Sequence, residues 1–399
     1  MGLLKNSDVY WKFSGQCTQC GHCKEACTSL SSAGMSLGEI AKAMLAVERD
    51  AETPEDVIMN IAMRPELVQA VRGCFFCTSC KNTCFAHNNV CDLIYAARVD
   101  FQNLGLIERA AWSSVLVDQE WDIFTAYRAI HGIGFTDLTR HVAYEGHEAE
   151  GDCEVAFFPG CSLAAYAPEL TREIFETVEE LGGKTTMIDR CCGSSLKSAG
   201  FYDRAEALCD RNVDEIVASG AKQLVCVCPG CANDMQLALD ARGAEVEVCS
   251  LAGWLAERGF KPKHELPEGP LCISKSCQDR DGSYLEDVRA ALGLEEDSAS
   301  IFHGCCGAGG AVSAFDPDRQ ARQVDSKLSF AEDGTTVGSM CPTCTYTYAF
   351  RLMQMPRDIN NKHYAELLFD NQIDWYKNFA QLGGMWSGEY GPWLAQVFA

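Results

Sequence analysis

The chain has no apolar run approaching the roughly 18–20 residues that span a bilayer. Its first residues, Met-Gly-Leu-Leu-Lys-Asn-Ser-Asp, lack the apolar core of a signal peptide. Positive charge is scarce: 33 Lys and Arg stand against 56 Asp and Glu, a net charge of −23. Phosphate backbones and anionic headgroups would repel such a surface, which excludes nucleic acid as a partner and direct electrostatic binding to a membrane. A hydrophobic content of 47% with 22% charged residues is that of a globular protein, and 399 residues suffice for two or three domains. The expected compartment is the cytoplasm, where thiols stay reduced. That matters because the chain has 24 cysteines. Disulfide frameworks belong to small secreted domains, whereas adjacent Cys-Cys and Cys-x-x-Cys pairs at repeated spacing are metal-site geometry.

Ten of the cysteines form one pattern written twice. The first copy is Cys161, the pair Cys191–Cys192 before Gly193, and Cys228-Pro-Gly-Cys231. The second is Cys277, Cys305–Cys306 before Gly307, and Cys341-Pro-Thr-Cys344. The offsets stay in step, since 277 − 161 = 116, 305 − 191 = 114 and 341 − 228 = 113. A duplicated metal-binding domain keeps five cysteines in register in this way.

Eight more lie near the N-terminus, as Cys17, Cys20, Cys23, Cys27 and as Cys74, Cys77, Cys80, Cys84. Both runs read C-x2-C-x2-C-x3-C, the bacterial ferredoxin signature, in which three thiolates bind one cube and the fourth crosses to the other. On that rule Cys17, Cys20, Cys23 and Cys84 hold one [4Fe–4S] cluster, and Cys74, Cys77, Cys80 and Cys27 the second. Gly21 suits the tight wrap of backbone around cluster sulfurs. Thr28 and Phe85 replace the usual proline after the fourth cysteine. Four-cysteine zinc sites are the alternative, but three cysteines per loop, twice, favours iron–sulfur. His22 and His87 lie beside these cysteines and read as exposed.

Helical periodicity is expected over 37–48, 54–63 and 88–130, with Trp112, Trp121, Phe124 and Tyr127 as core. The acidic stretch 145–152 reads as a linker. Beyond it, short strands and helices alternate: strands at 155–158, 185–188, 223–227, 271–274, 299–302 and 335–339, and helices at 169–181, 201–219, 233–240, 284–292 and 317–330. Ligands at the carboxyl ends of such strands converge on one crevice per domain. The fold class is therefore mixed α+β and α/β: a mostly helical two-cluster ferredoxin-like domain (1–145), then two duplicated α/β domains (152–265 and 266–370). An aromatic tail (371–399) follows, with Trp375, Trp386 and Trp393, and reads as a partner-docking segment.

The ten-cysteine set resembles the CCG domain of heterodisulfide reductase catalytic subunits, and its fusion behind a two-cubane domain is similar to the D-type subunit of membrane-linked heterodisulfide reductases. The resemblance covers residues 10–350. It implies two noncubane [4Fe–4S] clusters, one on Cys161, Cys191, Cys192, Cys228 and Cys231, the other on Cys277, Cys305, Cys306, Cys341 and Cys344. It also implies disulfide reduction at a site between them, with Cys192 and Cys306 central. His303, Lys197 and Lys275 are candidate proton donors. Expected partners are other redox subunits, including a membrane cytochrome b-type subunit and a cytochrome c or flavoprotein, which would hold the chain peripherally on the inner membrane face. A non-catalytic electron-transfer subunit is the alternative. Of the six remaining cysteines, Cys91, Cys153, Cys209, Cys226, Cys249 and Cys272, those in strand-like apolar runs (Cys226, Cys249, Cys272) and in a helix (Cys209) read as buried small hydrophobes.

Overall fold

The computed structural model describes residues 2–88, 90–107, 116–119, 122–133, 151–295, 297–388 and 391–392. Most of the 145–152 linker, with Trp112, Trp121 and Trp393, lies outside them. The chain packs as two compact units, one of residues 1–112, 195–203 and 307–320, the other of 113–194, 204–306 and 321–399.

The first unit is helical. Helix Leu37–Arg49 starts at a capping box between Ser36 and Glu39, and Pro54–Ala62 at one between Thr53 and Asp56, with Pro54 in the first turn. Ile40, Met44 and Val47 are fully buried, with Val57 and Ile61 of the next helix; this is the expected 3.6-residue stripe. Helices Ser7–Gln16, Pro65–Arg72 and Val90–Asn103 complete the core. At its centre the guanidinium of Arg98 is fully buried. It donates to the carbonyls of Val71 (3.0 Å), Arg72 (2.8 Å), Cys74 (3.1 Å), Ser198 (2.5 Å) and Gly310 (2.8 Å). One side chain thus satisfies five carbonyls from three distant stretches.

The second unit contains two all-parallel four-stranded sheets of identical topology. β1 (Val155–Phe158), β2 (Thr185–Met187), β3 (Gln223–Cys226) and β4 (Glu247–Ser250) take the order β2-β1-β3-β4. β5 (Leu271–Ser274), β6 (Ser300–Phe302), β7 (Thr336–Ser339) and β8 (Asn360–His363) take the order β6-β5-β7-β8. The six expected strands are present within a residue or two. Of the two edge strands, Glu-Val-Cys-Ser shows only an apolar run around Cys249, and Asn-Asn-Lys-His shows no strand signal; parallel pairing with β3 and β7 makes them strands.

Helix Ile123–Ile130, within the span assigned to the N-terminal domain, packs on Gly160–Tyr166, with Tyr127 and Tyr166 ring centroids 4.7 Å apart. Trp375 does not await a partner. It is 9% exposed and seated among Tyr166, Tyr346 and Phe379 at 5.4–5.8 Å between ring centroids. Its helix, Trp375–Ser387, belongs to the fold, while Tyr376 remains 72% exposed.

Replacing Arg98 with Met would leave five carbonyls short of their donor and should destabilise the first unit by about 3 kcal/mol or more. Chemical denaturation followed by far-UV circular dichroism checks this; a loss below about 1 kcal/mol would mean that water takes over those carbonyls.

Candidate metal centres

Each N-terminal run reaches into the other. One cavity is lined by Cys17, Cys20, Cys23 and also Cys84, together with Gly21 and Leu37. Gly21 has φ +83°, the left-handed turn that lets the loop wrap this space. The Leu37 N–H donates to Cys23 Sγ at 3.4 Å. A hydrogen bond with His22 holds the Cys20 thiol down at about 7, so His22 is a partner of that cysteine rather than a bystander. Cys27 sits with the opposite run. Burial and then the neighbouring thiols of Cys74, Cys27, Cys91 and Cys77 raise Cys80, and burial pushes Cys74 up to about 12. The two gatherings are therefore 17, 20, 23, 84 and 74, 77, 80, 27, with Cys91 beside the second.

In the second unit, strand direction decides where the thiols lie. β1, β2 and β3 run parallel, so the residues just past their carboxyl ends, Cys161, Cys191–Cys192 and Cys228, share one edge; β5, β6 and β7 do the same for Cys277, Cys305–Cys306 and Cys341. The edge lies where β1 has β2 on one side and β3 on the other, the switch point at which parallel sheets open a crevice. Gly193 has φ +82°, and a side chain there would meet the Ala205 carbonyl at 2.9 Å, so the chain turns after the cysteine pair only with glycine. Cys228 and Cys341 are each the N-cap of a helix, Pro229–Ala241 and Pro342–Leu352, with proline next and the second cysteine in the first turn. The Cys-Pro-x-Cys motif thus puts two thiols at a helix N-terminus, where the unpaired N–H groups favour a thiolate.

The thiols of the two repeats form one continuous row. Hydrogen-bond contacts link Cys161 to Cys191, Cys191 to Cys192, Cys192 to Cys231 and Cys231 to Cys228. Cys228 Sγ then lies 3.7 Å from Cys341 Sγ, Cys341 contacts Cys344, and Cys344 Sγ is 2.9 Å from Cys306 Sγ. Ser162 Oγ and Thr343 Oγ1, 3.1 Å apart, and the Tyr364 hydroxyl donating to the Val227 carbonyl at 3.2 Å, tie the repeats together around this row. Among the described residues no three His, Cys, Asp or Glu side chains gather as a single-ion site would require. The arrangement is instead a string of buried soft donors. The hydrogen bond with Cys191 pushes Cys192 up to about 12, and contacts among the thiols raise Cys191 and Cys344 well above the ordinary value. Without a cation these thiols hold their protons. A bound polynuclear metal group reverses this by stabilising the thiolates, so five sulfurs per repeat, four of them buried in the first and three in the second, fit an iron–sulfur cluster.

His303 is exposed and makes no hydrogen bond among the described residues, and Lys275 is engaged with Asp279 at 3.7 Å. Lys197 lies over the rings of Tyr95 and Tyr202. Of the six remaining cysteines, Cys153, Cys226 and Cys272 are buried, whereas Cys91, Cys209 and Cys249 are only half-buried, Cys249 because it lies on the edge strand β4 and Cys209 donating to the Cys192 carbonyl at 3.0 Å and so bracing the pair. Four residues near the row have no sequence signal: Lys327, Asp234, Tyr348 and His363. All are polar residues on helices or at a strand end that reveal themselves only by their place beside the thiols. Burial holds His363 down at about 3, hence neutral, with the Cys341 thiol acting in the opposite sense.

The family profile described as "Cysteine-rich domain" (CCG) matches residues 155–236 and 272–348. The D-type subunit of the dihydromethanophenazine:CoB--CoM heterodisulfide reductase of Methanosarcina barkeri is 23% identical over 370 residues, spanning 82% of this chain and 86% of that protein. The B-type subunit of the CoM/CoB fumarate reductase of Methanothermobacter marburgensis is 25% identical over 203 residues, 48% of this chain and 40% of that one. An uncharacterized iron–sulfur protein of Methanocaldococcus jannaschii is 25% identical over 227 residues, 55% of this chain and 44% of its own length. The chain therefore carries two tandem copies of that cysteine-rich domain, and along most of its length it is similar to the D-type subunit of heterodisulfide reductase.

Proposed function

We propose that the protein is the iron–sulfur subunit of an oxidoreductase complex that reduces a disulfide, of the heterodisulfide class, at a site between its two CCG domains. The observation that carries this is the 3.7 Å approach of Cys228 Sγ to Cys341 Sγ, which joins the two duplicated crevices. Cys161, Cys191, Cys192, Cys228 and Cys231 would hold one noncubane [4Fe–4S] cluster, and Cys277, Cys305, Cys306, Cys341 and Cys344 the other. The eight N-terminal cysteines, in the two gatherings described above, would hold two cubanes within domain 1–145.

When bound, the clusters supply single electrons, two of which complete R–S–S–R′ + 2e⁻ + 2H⁺ → RSH + R′SH. The protein's own residues do the rest. Once a cluster is bound, the helix N-termini at Cys228 and Cys341 would favour their sulfurs as thiolates, and the burial of Cys191, Cys192, Cys305 and Cys306, each 5% exposed or less, keeps water from the reacting sulfur. Exposed His303 can exchange protons with solvent at the second crevice. Electrons would come from a cytochrome c or flavoprotein partner, and a cytochrome b-type membrane subunit would hold the chain at the inner membrane face. No described helix is long and apolar enough to cross a membrane. Similarity to a protein named for fumarate reductase as well as CoM/CoB supports a second reading, a non-catalytic subunit that relays electrons within another oxidoreductase.

Anaerobically loaded protein should contain about 16 iron per chain, four in each of four clusters; saturation near about eight would remove the CCG clusters. Replacing Cys192 or Cys306 with Ser should abolish disulfide reduction while dye-linked reduction of the N-terminal clusters survives, and replacing Cys77 should leave the site but cut its supply. Full turnover by the Cys306→Ser protein with its partners would select the relay reading.

A further inference from the structure

The two CCG sites match in topology and in thiols but not in charge. Lys327, on helix Pro317–Leu328, is 3% exposed. Its ammonium donates to the Phe302 carbonyl at 3.0 Å and the Gly304 carbonyl at 2.9 Å, the latter one residue before Cys305. No carboxylate pairs with it among the described residues. Burial depresses its pKa, and the thiols of Cys344, Cys306, Cys305 and Cys277 act in the opposite sense, so the charge lies within electrostatic reach of four of the second repeat's five sulfurs. A buried ammonium without a carboxylate is costly unless some other anion offsets it. Here the anion at hand is the thiolate set itself.

The first repeat has no such cation among the described residues. The corresponding helix, Tyr202–Ser219, braces its cysteine pair with neutral groups: Asn212 Nδ2 donates to the Cys191 carbonyl at 2.9 Å, and Cys209 Sγ to that of Cys192. The second repeat makes the equivalent amide contact through Gln323, which donates to the Cys305 carbonyl at 3.0 Å, and adds Lys327 to it. Around the first pair, Arg190 is neutralised by its ion pair with Glu215. Asp234 brings a carboxylate oxygen to 3.9 Å from Cys192 Sγ. The second set of sulfurs therefore lies beside a fixed, carboxylate-free positive charge that has no counterpart beside the first among the described residues.

We propose that Lys327 splits the two CCG clusters electrostatically, so that the second repeat's cluster has the higher potential and takes up the first electron. This rests on the reading that each repeat holds an iron–sulfur cluster. Reduction adds one negative charge to a cluster, and a fixed cation in a low-dielectric site stabilises the reduced form while a carboxylate opposes it. Lys327 acts here as a positioning residue, through charge rather than contact with substrate.

The test is a redox titration of the full-length, anaerobically loaded chain, following each CCG cluster by electron paramagnetic resonance with iron content measured in parallel. The wild-type protein should show two distinct CCG midpoints. Lys327→Gln, which keeps a donor for the two carbonyls but removes the charge, should lower the higher one by a factor of about ten or more in the equilibrium constant, 59 mV for one electron. Lys327→Arg should restore it; the other CCG midpoint and the N-terminal clusters should move less. Unchanged CCG midpoints in a fully loaded Lys327→Gln protein would overturn the proposal while leaving the clusters in place. Equal loss of iron from the Gln and Arg variants would overturn it in favour of a structural lysine. A wild-type chain loading only about eight iron, two four-iron clusters' worth, would overturn the underlying reading and this inference with it.

Discussion

Parallel strand pairing is the constraint from which the metal-binding half of the molecule follows. In an all-parallel sheet every strand ends on the same edge, so a cysteine placed just after each of three strands is delivered to one crevice without any sequence proximity. Antiparallel pairing of the same strands would scatter Cys161, Cys191–Cys192 and Cys228 to opposite edges. The polar edge strands β4 and β8 complete each sheet and cover the outer flank of β3 and β7, the strands that carry the Cys-Pro-x-Cys helices.

Bringing ten sulfurs to such edges concentrates groups that are difficult to ionise in an apolar setting. Cysteine tolerates this as a small hydrophobe until a metal arrives. Two devices then favour the charged form: the N-terminal turns of helices Pro229–Ala241 and Pro342–Leu352, present in both repeats, and the ammonium of Lys327, present in one. The first follows the duplication and the second departs from it. A duplicated site whose halves differ in charge can hold its two electrons at different energies, which suits a reaction that needs two electrons delivered singly.

The first unit meets a different need. Its cysteine loops carry little regular structure, and positive φ at Gln19, Gly21, Phe76 and Thr78 shows backbone turned tightly around the thiols. Rigidity comes from beneath, where buried Arg98 gathers carbonyls from the Cys74 loop, from the helix after Cys192 and from the 3-10 turn after Cys306. A lysine would present one compact charge there; the planar guanidinium, with its five donors, can address five acceptors at once.

Much of this is legible in the chain itself. Spacing alone determines the duplication, the two ferredoxin-like runs and six of the eight strands, because repeated cysteines, apolar strand runs and 3.6-residue stripes are local signals. The exchange of the fourth cysteines follows from the motif rule, and the gathering of Cys84 with Cys17, Cys20 and Cys23 is its spatial counterpart. What local pattern could not carry was decided by packing. Glu-Val-Cys-Ser and Asn-Asn-Lys-His become strands only because a neighbouring strand offers its backbone. Trp375, which a tryptophan-rich terminus marks as a docking residue, is buried because Tyr166 and Tyr346, both distant in sequence, form its pocket. The approach of Cys228 to Cys341 and the choice of Lys327 over His303 as the charged neighbour of the second pair depend on how two sheets and a helix meet, a long-range geometry that no sequence window contains.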